Sequence, residues 1–212
     1  PSVNSRLAGA LAATLLLAGC SGGVSAPATT DVDVDTPELR EMKAAAGIDD
    51  CEPGLGDGEQ SGLPELVLPC LGGGPDVDLA RLTGPLIINV WATYCGPCRE
   101  EMPALQEFYV AHGDEVGMLG IDLDISPDLA ISFAEVVGAT YPQLADPGGT
   151  IYDLPELRVP GLPTFILVDA EGTVAYQGAG GLDSVAEVVA LAEEHLDVDL
   201  DVDLDVDTGA GR

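Results

Sequence analysis

Two thiols three positions apart, Cys95 and Cys98, are the residues best equipped for chemistry, in the run Cys95-Gly96-Pro97-Cys98. A pair at this spacing can cycle between dithiol and disulfide, and it can also supply half of a zinc site. Zinc would need two further ligands, and the chain offers only His112, His195, Cys51 and Cys70, none forming a second close pair. The expectation is therefore no metal and no cofactor, with the electrons held in the cysteine pair itself. Context supports redox chemistry: the apolar run Leu86 to Trp91 reads as a buried strand, and a helical pattern starts at Cys98. Free N–H groups and the positive dipole end of a helix start stabilise a thiolate, so Cys95 is the expected nucleophile. Pro97 suits a first helical turn, where its missing N–H has no partner. Cys98, one turn in, is expected to be more buried and to act second.

The surrounding elements fit an α/β domain with a central mixed sheet flanked by helices. Leu66 to Leu68 and Val77 to Leu79 read as short paired strands, and Val116 to Leu123 as a second buried strand. Helical spacing extends from Cys98 to His112, from Asp128 to Gly138 and from Ser184 to Leu196. Phe165 to Asp169 and Val174 to Gln177 flank Ala170-Glu171-Gly172, a hairpin signal. Strand-helix-strand order first and an antiparallel hairpin later indicate a mixed sheet.

Upstream, Arg6 precedes an apolar run from Leu7 to Ala18, too short to span a bilayer comfortably and of signal-peptide length. It ends Leu17-Ala18-Gly19-Cys20 and continues Ser21-Gly22-Gly23, which resembles a bacterial lipobox. The resemblance implies cleavage before Cys20, lipidation of Cys20 and an exported protein anchored by acyl chains. An ordinary signal peptide containing a cysteine is the competing reading. The expected division is a signal peptide over 1–19, a lipidated cysteine and flexible linker over 20–62, the compact domain over 63–196 and a disordered acidic tail over 197–212. Within the linker, Thr36-Pro37-Glu38 reads as a helix start leading to a short helix up to Ala46. In the tail Asp alternates with Val or Leu, and repulsion along the acidic face opposes a strand.

Only 7 Lys and Arg stand against 37 Asp and Glu, a net charge of −30. Such a surface repels nucleic acid and anionic headgroups alike, which excludes a nucleic-acid partner and leaves hydrophobic or covalent attachment as the route to a membrane. With Cys20 lipidated and Cys95 and Cys98 forming the redox pair, Cys51 and Cys70 remain. In an exported chain a structural disulfide is their natural assignment, stabilising by roughly 3 kcal/mol in the chain-entropy picture. Two free thiols or a second redox pair are the alternatives.

The segment Trp91-Ala92-Thr93-Tyr94-Cys95-Gly96-Pro97-Cys98-Arg99-Glu100-Glu101-Met102-Pro103 resembles the active-site segment of the TlpA/ResA-type thioredoxin-like family, membrane-tethered bacterial thiol-disulfide oxidoreductases. Asp146-Pro147-Gly148-Gly149, Gly161-Leu162-Pro163-Thr164-Phe165 and Val168-Asp169-Ala170-Glu171-Gly172 resemble further family segments, in order. The likeness covers about Leu63 to Leu196 and implies a thioredoxin-like fold. It implies that Cys95 attacks and Cys98 resolves, that Pro163 is cis, and that the Leu162 backbone pairs with a substrate chain. Pro103 matches a helix-kinking proline. Trp91, Tyr94, Gly96 and Pro97 are expected to wall the substrate site, with Trp91 and Tyr94 serving packing as well. Glu101, one helical turn beyond Cys98, matches an acid that tunes the thiols, against the plainer reading of a solvated glutamate. Asn89 stands where thioredoxin itself has a buried aspartate, so that acid is absent.

The function so implied is disulfide exchange with exported proteins outside the cytoplasm. A reductant, for example of apocytochrome c with electrons from a transmembrane thiol donor, is the first reading. An oxidant or isomerase, a peroxide reductase of the peroxiredoxin kind and a non-catalytic binding module compete with it; direction depends on reduction potential.

Overall fold

The computed structural model describes residues 32–51 and 61–200. Cys20, the targeting segment before it, residues 52–60 and the acidic tail beyond Leu200 lie outside the described residues. The elements are α1 (Pro37–Ala46), β1 (Val67–Leu68), β2 (Val77–Asp78), β3 (Leu86–Trp91), α2 (Gly96–His112), β4 (Gly117–Asp122), α3 (Pro127–Val137), β5 (Gln143–Ala145), β6 (Thr164–Val168), β7 (Val174–Ala179) and α4 (Val185–Leu196).

The main sheet has the order β5-β4-β3-β6-β7. β3, β4 and β5 run parallel, while β6 and β7 are antiparallel additions beside β3. This is the mixed α/β sheet expected from the element order. Every residue of β3 is buried, because its two faces serve two apolar clusters. Ile87 and Trp91 pack with Leu105 and Phe108 of α2, Ile131 of α3 and Val188 of α4. Leu86, Ile88 and Val90 pack with Leu68, Val77, Leu79 and Ile151. The strand therefore lies at the centre of the fold, and its C-terminal end delivers the chain into Cys95.

The short helix expected in the linker is present as α1. Thr36 Oγ1 accepts from Leu39 N at 3.3 Å, Pro37 opens the first turn, and Gly47 closes the helix at φ 69°. The linker reading around it does not hold over residues 32–51, which are packed rather than free. Val34, Leu39 and Ile48 join the core, Asp49 N donates to Thr140 O, and Cys51 is bonded to Cys70. Three isolated apolar residues make no periodic signal in sequence, but tertiary contacts with α3 and the 70–73 turn collect them. The tail reading changes similarly at its start: Leu200 is buried and its N–H donates to Glu193 Oε1 at 3.1 Å.

The three-residue strand β5 has no sequence signal of its own. Pairing with β4 holds it on one side, and the Cys70–Leu144 bridge holds it on the other.

Candidate active site

Cys95 ends the turn after β3 and caps α2. The extended β3 strand must reverse into a helix here. Cys95 N donates to Ala92 O at 3.1 Å, and the Thr93 N–H and hydroxyl both reach the Asp124 carboxylate, at 2.7 and 2.9 Å. Asp124 follows β4, so the parallel neighbour strand anchors the turn. Sequence reading did not single out Asp124, because the contact links positions 31 residues apart.

Cys95 and Cys98 are joined as a disulfide. The Cys98 N–H donates to Cys95 Sγ at 3.2 Å. That helix-start donor, which has no partner within the helix, favours negative charge on Cys95 once the bond is reduced. Cys95 retains 8% exposure and Cys98 none. An incoming thiol thus meets Cys95 first, and Cys98 waits behind it in the core. Pro97 and Tyr94 are exposed and Gly96 is half-buried, so all three border the Cys95 opening. Trp91 is different: it is fully buried, with its Nε1 donating to Gln143 Oε1 at 2.9 Å. It supports the site from below and presents no surface to a substrate, which corrects its placement among the wall residues.

The peptide between Leu162 and Pro163 is cis. β3 and β6 pair in a register that sets Val90 opposite Thr164, so one step further Pro163 lies opposite Trp91, at the strand end that leads to Cys95. Leu162 packs against the cluster that contains both cysteines. Among the described residues its backbone N–H and C=O have no hydrogen-bond partner.

Glu101 is fully buried, one turn beyond Cys98 in α2. Asn89 Nδ2 donates to its Oε1 at 2.9 Å, and Oε2 has no partner of full hydrogen-bond geometry among the described residues. Burial pushes the carboxyl up to about 8; the Asn89 amide and the Leu182 backbone oppose this, and the Asp183 charge reinforces it. Glu101 is not a solvated surface residue. It is a neutral acid near pH 7 that can hold or release a proton inside the core. Asn89, which the sequence marks only as the absence of an acid, at the same time orients one.

An unfolded chain ionises this glutamate at the ordinary value, so between about pH 4.5 and 8 the folded state holds a proton that the unfolded state has lost. Stability is complete below that window and falls as pH rises through it, by up to about 1.4 kcal/mol per pH unit from this group. Asp122, buried at the end of β4 beside Asp124, is shifted up for the same reason and adds to the slope. Glu101→Gln is expected to flatten the fall without abolishing it, as read by urea unfolding at a series of pH values.

The other cysteine pair, Cys51 and Cys70, is also bonded, with a Cα–Cα distance of 5.8 Å. It ties the end of the α1 segment to the turn beside β5. Among the described residues no three His, Cys, Asp or Glu side chains are grouped as a metal site, and no helix is long and apolar enough to cross a membrane.

The sequence matches the AhpC/TSA family over residues 60–177. It is 30% identical over 112 residues to the thiol-disulfide oxidoreductase ResA of Halalkalibacterium halodurans, covering 51% of this chain and 62% of that protein. It is 28% identical over 126 residues to the thioredoxin-like protein YneN of Bacillus subtilis, covering 58% and 71%. Among solved structures, a protein of Chlorobium tepidum assigned as thiol:disulfide interchange protein DsbE superposes with TM-score 0.52 at 26% identity, over 69% of this chain and 96% of that one. A secreted thiol-disulfide isomerase from Corynebacterium glutamicum gives 0.52 at 27% identity, over 61% and 82%.

Proposed function

This chain belongs to the AhpC/TSA family, and from that premise we propose that it is an extracytoplasmic thiol-disulfide oxidoreductase, exchanging disulfides with exported proteins through Cys95 and Cys98. The observation that carries the reading is the asymmetry of the pair: Cys95 caps a helix, accepts the Cys98 N–H and reaches the surface, while Cys98 is sealed behind it. A reduced Cys95 thiolate attacks a substrate disulfide, forming a mixed disulfide and expelling one substrate thiolate. Cys98 then attacks Cys95 Sγ, closes the Cys95–Cys98 bond and expels the second thiolate. The ionised fraction of Glu101, which grows as pH rises toward about 8, takes up the Cys98 proton as that thiol becomes a nucleophile. The Leu162 backbone is free to pair with the substrate chain as a short added strand, bounded by Tyr94 and Pro97.

In this reading the protein is lipid-anchored through Cys20 and acts as a reductant, with apocytochrome c as one candidate substrate and a transmembrane thiol protein as electron donor. Similarity to relatives named thiol-disulfide oxidoreductase supports the exchange chemistry, and the lipobox-like run ending at Cys20 supports the anchor. Oxidation or isomerisation is the second reading, favoured by the likeness to the Corynebacterium isomerase. The reduction potential of the Cys95–Cys98 pair separates the two, and Trp91, packed in the same cluster, is the chain's single tryptophan and reports the redox state by fluorescence. A value near about −250 mV or lower is expected; one near about −120 mV would sink the reductant assignment.

A further inference from the structure

The Cys51–Cys70 bond sits in surroundings that a merely structural cross-link does not require. Lys43 of α1 is buried, and its ammonium lies 3.3 Å from Cys70 Sγ. The same ammonium donates to Gly73 O at 2.8 Å and to Asp50 Oδ1 at 2.9 Å. The Asp50 side chain is 80% exposed, so water screens its carboxylate, whereas the lysine has only 6% exposure. The other cation nearby, Arg40, is engaged with Asp35. Cys51 Sγ meets a different neighbour, the Gln143 carbonyl oxygen at 3.2 Å.

These two settings match the two halves of an activated dithiol. A cation against Cys70 favours its thiolate, while a carbonyl against Cys51 can accept from a protonated thiol. Cys70 itself is only 1% exposed, but the exposed Gly74 lies over it: a side-chain carbon placed there would lie 3.2 Å from Cys70 Sγ, so on this face a residue without a side chain covers the sulfur. A surface cavity of about 450 Å³, lined by Arg40, Lys43, Asp49, Asp50, Gly73 and Gly74, opens beside it. Both charge signs line a volume suited to a small ligand.

We infer that Cys51–Cys70 is a second exchangeable disulfide, with Cys70 as the exchanging sulfur, Lys43 as its activating cation and a low-molecular-weight thiol as the partner. The partner thiolate attacks Cys70 Sγ, and the Cys51–Cys70 bond breaks. The bonding pair goes to Cys51, which takes a proton from the solvent and, as a thiol, donates a hydrogen bond to Gln143 O. A second partner thiolate attacks the partner sulfur of the mixed disulfide and releases the Cys70 thiolate beside Lys43. Two thiols are oxidised to one disulfide, the protein pair gains two electrons, one proton stays on Cys51 and one is released. By stabilising the reduced form, Lys43 makes the pair easier to reduce.

The test uses the full chain carrying C95A and C98A, so the outcome does not depend on the first pair. The protein is equilibrated in glutathione redox buffers without denaturant, acid-quenched, alkylated and read by mass for Cys51 and Cys70 separately, with circular dichroism as the folding control. The pair is expected to open while the protein stays folded. Lys43→Met should demand a buffer at least about tenfold more reducing, equivalent to about 30 mV, while Lys43→Arg stays close to the parent. A bond that opens only on unfolding, or equal midpoints for the parent and Lys43→Met, overturns the proposal. If Lys43→Met does not fold, labelling of the reduced parent decides. Near about pH 6, Cys70 should alkylate at least about tenfold faster than Cys51; equal rates overturn it.

Discussion

Cys98→Ser is expected to stop turnover and to leave the protein covalently joined to its substrate through Cys95. Cys95→Ser is expected to stop turnover with no adduct at all. Both should lower dithiothreitol-driven insulin reduction by about three orders of magnitude or more, because the two sulfurs act as one unit. The difference between the variants follows from burial. Cys95 keeps 8% of its surface and meets the substrate, so without Cys98 the mixed disulfide forms and has no internal thiol to release it. Cys98 has no exposed surface and cannot replace Cys95 as the attacking sulfur. Mass spectrometry after exposure to a disulfide peptide checks the pattern. An adduct on Cys98 in the Cys95→Ser protein, or equal turnover in both variants, would reverse the assigned order. Cys51 and Cys70 remain in both variants, so residual thiol chemistry is mapped by peptide.

Trp91→Ala is expected to cost about 3–5 kcal/mol, a large part of a typical domain stability of about 5–15 kcal/mol. The ring is fully buried at the end of the central strand and packs against Phe133 with centroids 6.0 Å apart. Its removal opens a cavity and leaves Gln143 Oε1 without the indole donor. The carboxamide has no slack on its other side, since it lies directly over Gly120, where any side chain would collide with it. Trp91→Phe keeps most of the volume and loses only the donor, so about 1–3 kcal/mol is expected. Urea unfolding followed by circular dichroism measures both. A loss below about 1 kcal/mol for the alanine variant would mean that the surroundings collapse into the space, contrary to a packed sheet centre.

The residues responsible for reactivity were legible in the sequence because their evidence is local. A Cys-x-x-Cys between a wholly apolar run and a helical pattern needs no distant contact to be recognised, and Thr36-Pro37 marks a helix start through neighbouring atoms alone. The strand at Leu86, helix α2 and the hairpin around Ala170 announce themselves through short-range periodicity in the same way. Other features depend on which segments meet. Asn89 and Glu101 are 12 positions apart and Thr93 and Asp124 are 31 apart, and only the packing of α2 on β3 and of β4 beside β3 joins them. The packed segment 32–51 was read as linker because its few apolar residues are scattered, and burial depends on what covers a residue rather than on its type. Trp91 likewise looked like a site wall from its nearness to Cys95, yet the strand turns its ring inward onto Gln143. The sequence alone determined the kind of chemistry, through residue types and spacing. Tertiary structure alone decided the electrostatics: which sulfur is open, which carboxyl stays protonated, and which cation faces Cys70. Those depend on desolvation and on distances between segments far apart in the chain.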